Sequence, residues 1–359
     1  MKLKQDRMSS AERIDSLFNY RRPDHVPIGM IAPSFSCRNA GLPVSVAYND
    51  PEHNFYAMQW AAEQYAWDQA PQIVRHTIVE VMDFGGDVRL PEGEYEGALV
   101  VNSYPVKSES DVENLQMPDP EKTGMIGAAL ELGRLQKAHG LPVTFVSRSP
   151  FTVASNICGL QQFCKWLIKK PALCERLMKM AFDHIFNVLR YWVDTFGAEE
   201  VFVFMSSPSE SNQVISPKQF EKFALPYHLL YHERLKALGI KRFYFHVCGE
   251  QNLNLPYLAD ASSWEHPAIL SFGHEVSLET AAQYFQKDII CGNIEPAIIQ
   301  TGTTQQVYEI AGATLEKGKD IPGGFILSAG CELPIAAPAA NVFAITKAAD
   351  DFGWYPEQS

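Results

Sequence analysis

The sequence predicts an α/β fold, a single (β/α)8 TIM barrel domain spanning residues 1–359. Three observations carry that expectation. From residue 141 onward, short apolar runs alternate with helical segments of ten or more residues, the pattern of parallel βαβ units. Runs such as VFVFM (201–205) and FILSA (325–329) are almost continuously apolar, as strands covered on both faces tend to be. The strand-like runs number eight, and no G-x-G-x-x-G follows the first of them to favour a doubly wound open sheet.

MKLKQDRMSSAERIDSLF (1–18) is charged and helix-like. VPIGMIA (26–32) reads as the first strand and AWDQAPQIV (66–74) as the second. Residues 75–125 break the alternation. DFGGDVRLPEGEYEGALVVNSYPV (83–106) reads as short strands and turns, a small hairpin inserted after the second strand and lying over the barrel mouth. LPVTFVSRSPF (141–151) is a strand and its loop. ICGLQQFCKWLIKK (157–170) and residues 171–197 are helices, the second with Pro171 at its first position and Gly197 at its end.

AEEVFVFMSS (198–207) is the next strand, followed by a helix over 216–239 with Ser216 as N-cap, Pro217 at the first position and Gly239 at the end. KRFYFHVCG (241–249), AILSFGHE (268–275), DIICGNIEP (288–296) and GGFILSAGCELP (323–334) supply the remaining strands. Residues 252–260 form a short helix or turn, and helices are expected over 277–286, 303–319 and 338–353.

Composition narrows the function. A net charge of -12 with 46 % hydrophobic and 20 % charged residues is that of an ordinary globular protein. No basic stripe offers itself to nucleic acid. No apolar run reaches the length of a membrane span, and the N-terminus lacks the apolar centre of a signal peptide. A cytoplasmic location follows as an expectation, with no membrane or nucleic-acid partner and with a homodimer left open. Seven cysteines, an odd number, in a reducing compartment are expected to stay free.

In a barrel, chemistry sits at the C-terminal ends of the strands. His246 and Cys248 end one strand, two residues apart, so both side chains point to one face. Cys331 ends the last strand and reaches the same barrel face. Nitrogen and thiolate donors suit zinc, and three protein ligands with one open position is the catalytic arrangement. An H-x-C pair alone is equally what a buried strand with a core cysteine and a hydrogen-bonded histidine provides.

Other strand-end residues are candidates. Glu332 is either the exchangeable fourth ligand or the cap of the following turn. Ser207 and Glu210 either act in catalysis at the mouth or cap a helix. His274, Asn293 and Glu295 are candidate substrate contacts, with turn formation an alternative role for Asn293. Glu250 reads as a solvated loop residue. His228 and His232, four apart on a helix and with no adjacent glutamate in an H-E-x-x-H pattern, read as ordinary helix-face residues.

ERIDSLFNYRRPDHVPIG, FVSRSPFTVASNICG, ISPKQFEKFALPY, HVCG, CGNIEP and SAGCELP together resemble the uroporphyrinogen decarboxylase superfamily over nearly the whole length. Within it they resemble the zinc-dependent methylcobamide:thiol methyltransferases, with HVCG and the late G-C-E-L-P loop the most specific elements. The resemblance implies zinc on His246, Cys248 and Cys331. It also implies a methylcobamide carried by a partner corrinoid protein and a small thiol acceptor such as coenzyme M. Removal of a methyl group from a methoxylated donor is the alternative direction. The decarboxylase branch fits less well. Its R-Q-A-G-R-Y motif is replaced by MIAPSFSCRNAG, where Arg38 is the one basic residue. In place of its F-S-D-I-L aspartate stands PQIVRHTIVEV, where Arg75 becomes a candidate substrate contact.

Overall fold

The protein is described by a computed structural model covering residues 4–71, 79–261 and 267–356. A short antiparallel hairpin, β1 (Asp87–Arg89) and β2 (Val100–Ser103), precedes the main sheet. That sheet contains β3 (Val143–Arg148), β4 (Val201–Ser206), β5 (Arg242–Val247), β6 (Ile269–Phe272), β7 (Ile289–Ile294) and β8 (Phe325–Ala329). All six are parallel and stand in sequence order, with helices in the connections. β3, β6 and β8 are buried at every position, which is why their sequences show no polar alternation.

Among the described residues, those of the expected first and second strands lie beside β8 and beside each other but form no ladder. Residues 26–32 run along β8 through a single parallel bridge, Ile28 to Leu327. Around it Gly29 N donates to Leu327 O at 2.9 Å and Leu327 N to Pro27 O at 2.9 Å. Residues 67–71 lie beside that segment, with Asp68 N donating to Ile28 O at 2.7 Å. Pro27, Pro33 and Pro71 supply no N–H, so neither segment can sustain a regular ladder. Residues 72–74 of the expected second strand lie outside the described residues.

Side chains replace the missing ladder bonds. Gln136 Nε2 donates to Pro71 O at 2.6 Å and to Thr144 Oγ1 at 3.1 Å, and Gln136 Oε1 accepts from Thr144 N at 3.0 Å. One buried amide thus joins residues 67–71 to β3. On the N-terminal helix Ser10–Phe18, Arg13 is 1 % exposed. Its Nε lies 2.7 Å from Asp24 Oδ1, and its Nη1 bonds to Asp68 Oδ1. Asp68 Oδ2 in turn accepts from Ile28 N at 2.9 Å. The helix is started by a capping box between Ser9 and Glu12.

The hairpin sits on the side of the barrel mouth, as expected. Tyr48 Oη donates to Gly97 O at 2.7 Å, and Gly97 lies against Ile335 in the loop after β8. Arg38 turns to the hairpin, with its guanidinium 4.0 Å from the Tyr95 ring centre. The helix expected over 216–239 starts at its Ser216 capping box but contains a π-turn at Phe220–Ala224. Pro226 explains this, because it has no N–H to donate one turn back. No described helix is long and apolar enough to cross a membrane.

Arg13→Met should lower unfolding stability by about 3–5 kcal/mol, because it leaves two buried carboxylates without their cation. Denaturant unfolding at neutral pH measures this. Burial alone would raise the Asp24 carboxyl, but hydrogen bonds from Arg13 and the Arg7 backbone outweigh it and hold it below the usual range. In the wild type, Asp24 therefore stabilises the fold fully above its unfolded pKa of about 3.9, and loses that contribution on further acidification. The gap between variant and wild type should narrow as pH falls and the orphaned carboxyls take up protons.

Candidate metal centre

The sheet register sets the site. Arg148 pairs with Ser206, Ser206 with His246, and His246 with Ser271. Partners in a parallel sheet point to the same side, so these four side chains form one row inside the C-terminal end of the barrel. Cys248 follows β5, where Gly249 takes a left-handed φ of 75°. Cys331 follows β8.

A ring nitrogen of His246 and the Sγ atoms of Cys248 and Cys331 lie within 4.8 Å of one another. His246 Nδ1 is 3.1 Å from Ser271 Oγ, while Nε2 is buried and has no hydrogen-bond partner. A buried imidazole nitrogen left open beside two thiols is what a metal ligand looks like without its ion. The donor set, one nitrogen and two sulfurs, fits a tetrahedral ion such as zinc.

The two thiols share a proton unequally. A hydrogen bond from Cys248, with help from His246 and against burial, pulls Cys331 down to about 3. The same bond, together with burial, pushes Cys248 above the usual thiol range. Burial raises Glu332 to about 7, opposed by Ser34 and reinforced by Cys331.

His246, Cys248, Cys331 and Glu332 all line one cavity of about 150 Å³. Its other walls include Met30, Met58, Trp67, Phe204 and Arg148. Sequence reasoning passed over Arg148, Ser271 and the aromatic wall. The signal for Arg148 was present, since it is a lone charge ending a buried apolar run.

The remaining candidates fall elsewhere. Glu210 is 1 % exposed and sits 2.6 Å, Oε2 to Nε2, from His228, itself 1 % exposed. His228 is thus an inward-facing partner of Glu210, in place of the ordinary helix-face residue expected. Ser207, also buried, donates its N–H to His246 O at 3.3 Å and so holds backbone beside the cavity. His274 is exposed at the rim, with Nδ1 3.5 Å from Glu275. Asn293 Nδ2 donates to Val276 O at 2.6 Å, which ties the end of β7 to the loop after β6. Glu295 starts the helix Pro296–Thr301. Glu250 Oε1 accepts from Asn252 N at 2.8 Å within its own loop. Arg75 lies outside the described residues. A second acidic group, Asp6, Asp24 and His25, contains the carboxylate already engaged by Arg13.

Barrel, cavity and donor set together describe a (β/α)8 protein with a His/Cys/Cys cluster on the wall of its cavity. Residues 9–352 match the uroporphyrinogen decarboxylase (URO-D) family, and the chain belongs to it. It is similar to a methylated-thiol–coenzyme M methyltransferase of Methanosarcina mazei, 26 % identical over 243 residues that cover 66 % of this chain and 61 % of that one. It is also similar to a methylcobamide:CoM methyltransferase of Methanosarcina acetivorans, 25 % identical over 255 residues, covering 70 % of this chain and 71 % of that one. A solved methyltransferase from Methanosarcina mazei shares the fold, with a TM-score of 0.79 at 21 % identity over 96 % of this chain and 99 % of that one.

Glu210→Ala should cost about 1–3 kcal/mol of stability by leaving His228 buried without its acceptor, yet keep the metal content of the protein. Thermal unfolding and elemental analysis of the same sample check this. Metal loss at unchanged stability would instead give Glu210 a role at the cavity.

Proposed function

We propose that the protein is a zinc-dependent methyltransferase that moves a methyl group between a corrinoid protein and a small thiol. The observation that carries this reading is the convergence of His246, Cys248 and Cys331 on the wall of one cavity. The likeness to methylcobamide:CoM methyltransferases supports it. In this reading the methylated corrinoid arrives on a partner protein, and the enzyme is cytoplasmic.

His246 Nε2 and the two Sγ atoms would hold the ion, with Glu332 as the exchangeable fourth ligand. Zinc, when bound there, supplies the charge that keeps a thiol ionised near neutral pH, where a free thiol is mostly protonated. The chain's own residues do the rest. Ser271 fixes the His246 ring through Nδ1, so Nε2 faces the sulfurs. Two cysteine sulfurs, in place of neutral donors, keep the centre electron-rich and a bound sulfur nucleophilic. Met30, Met58, Trp67 and Phe204 exclude water from that sulfur.

The apolar wall also favours a second reading, removal of a methyl group from a methoxylated aromatic donor. A decarboxylase acting on a porphyrinogen with many carboxylates is less well supported, because Arg148 is the single Lys or Arg among the described wall residues.

Purified protein should contain about one zinc per chain, and Cys248→Ala or Cys331→Ala should lose it. Metal-free protein that turns over at full rate would sink the proposal. Ser271→Ala should weaken metal affinity by about 10–100-fold while the fold survives, as read by competition with a chelator.

A further inference from the structure

His246 Nε2 is buried and without a hydrogen-bond partner, while Nδ1 stands 3.1 Å from Ser271 Oγ. A neutral imidazole carries one ring proton. An Nε2 open to a metal therefore requires that proton on Nδ1, donated to Ser271. The Ser271 hydroxyl can equally donate to Nδ1, which puts the ring proton on Nε2 and closes that donor. The choice depends on whether the Ser271 proton has an acceptor elsewhere. The core below the cavity supplies one. Tyr244 precedes His246 by two residues on β5 and points to the same side, one layer deeper. Its ring stacks on Phe204, with centroids 4.9 Å apart at 22°, and its Oη lies 3.5 Å from Cys291 Sγ. Cys291 pairs with Ser271 in the β6–β7 register. Tyr244 accepts a hydrogen bond from Ser271 and donates to Cys291. Cys291 accepts from Tyr244, Ser328 and Ser271. Burial raises both acids, Tyr244 well above its usual value and Cys291 to about 11, so both keep their protons near neutral pH. Ser271, Cys291 and Ser328 are each 1 % exposed, and Tyr244 is 4 % exposed. Groups buried that deeply have to satisfy one another.

We infer that Tyr244 and Cys291 are positioning residues for the metal centre: they take the Ser271 hydroxyl proton, so that His246 keeps its own proton on Nδ1 and presents a bare Nε2 to the cation. The inference rests on the reading of His246 as a ligand given above. The chain of donors runs from His246 to Ser271 to Tyr244 to Cys291. It ends on a sulfur that collects several hydroxyl donors, which gives the chain its direction. The tautomer of a ligand at the mouth is thus set by side chains in the core of the barrel.

Metal-free protein labelled with 15N-histidine tests this at about pH 8.5, roughly two units above the ordinary histidine pKa of about 6.5. Long-range 15N–1H spectra report which ring nitrogen carries the proton, and His246→Gln identifies the His246 signals among the 10 histidines. The wild type should show Nδ1–H and a bare Nε2. Tyr244→Phe/Cys291→Ala should move the proton toward Nε2 and weaken zinc affinity about 10-fold in competition with a chelator. Tyr244→Phe/Cys291→Ser returns an acceptor and should restore both. In a Ser271→Ala background the same two substitutions should weaken zinc no further, whereas mere loosening of the core would add to the loss. Tyr244→Phe alone, nearly isosteric, should show the shift in part, which keeps the test open if the double variant does not fold. A wild type with Nε2–H overturns the inference, as do variants that leave the proton on Nδ1. Protein that takes up no zinc yet shows Nδ1–H and its shift would count against the proposed function and leave Tyr244 and Cys291 in their role. Zinc-binding protein whose tautomer and affinity ignore the substitutions would remove that role alone.

Discussion

The barrel depends on a guanidinium buried at its base. Arg13 reaches Asp24, just ahead of residues 26–32, and Asp68, within residues 67–71. These are the two segments that prolines prevent from joining the sheet by a full ladder. Burying an ion cluster seldom adds much stability over well-packed apolar groups. Its contribution here is position. Asp68 is bonded at once to Arg13 and to Ile28 N, so the two irregular segments hang from one carboxylate. Gln136 then joins the second segment to β3.

That anchoring reaches the cavity directly. Beyond Ile28 the first segment runs on to Met30, Ile31 and Ala32, and around Asp68 the second supplies Trp67, Gln69 and Ala70. Met30 is held further by its sulfur, which accepts from Ala329 N at 3.4 Å. The part of the cavity wall built from residues 30–33 and 67–71 is therefore placed by long-range polar contacts, and the part built from β3 to β5 by their regular register. His246 ends the regular part, and Cys248 and Cys331 come from the loops after β5 and β8. This division suits a site in which the donors must stay fixed while the facing wall is shaped to a substrate.

The same division explains what the sequence revealed. β3 to β8 were legible because a strand buried on both faces writes a continuous apolar run. Residues 26–32 and 66–71 read as strands from composition, but their pairing depends on Arg13 and Gln136, which lie far away in the chain. His246 and Cys248 could be paired in advance because side chains two apart on a strand share a face. Cys331 could be added because parallel strands end on one side. The Glu210–His228 pair was not legible, for a different reason. Its partner His228 comes from the helix Leu225–Ala237 beyond a π-turn, and no local pattern announces a contact of that kind. Asn293 stood at a strand end as expected, but its amide is taken up by the Val276 carbonyl.

Electrostatics connect the row of side chains into one device. His246 is oriented by Ser271 on one neighbouring strand and faces Ser206 on the other, with Arg148 beyond. Each strand contributes one side chain at the same level, so the row grades from an uncharged hydroxyl at Ser271 to a guanidinium at Arg148. The metal donors stand toward the hydroxyl end. The spacing of parallel strands, which is fixed by backbone hydrogen bonding alone, therefore sets how far apart the side chains of this row stand.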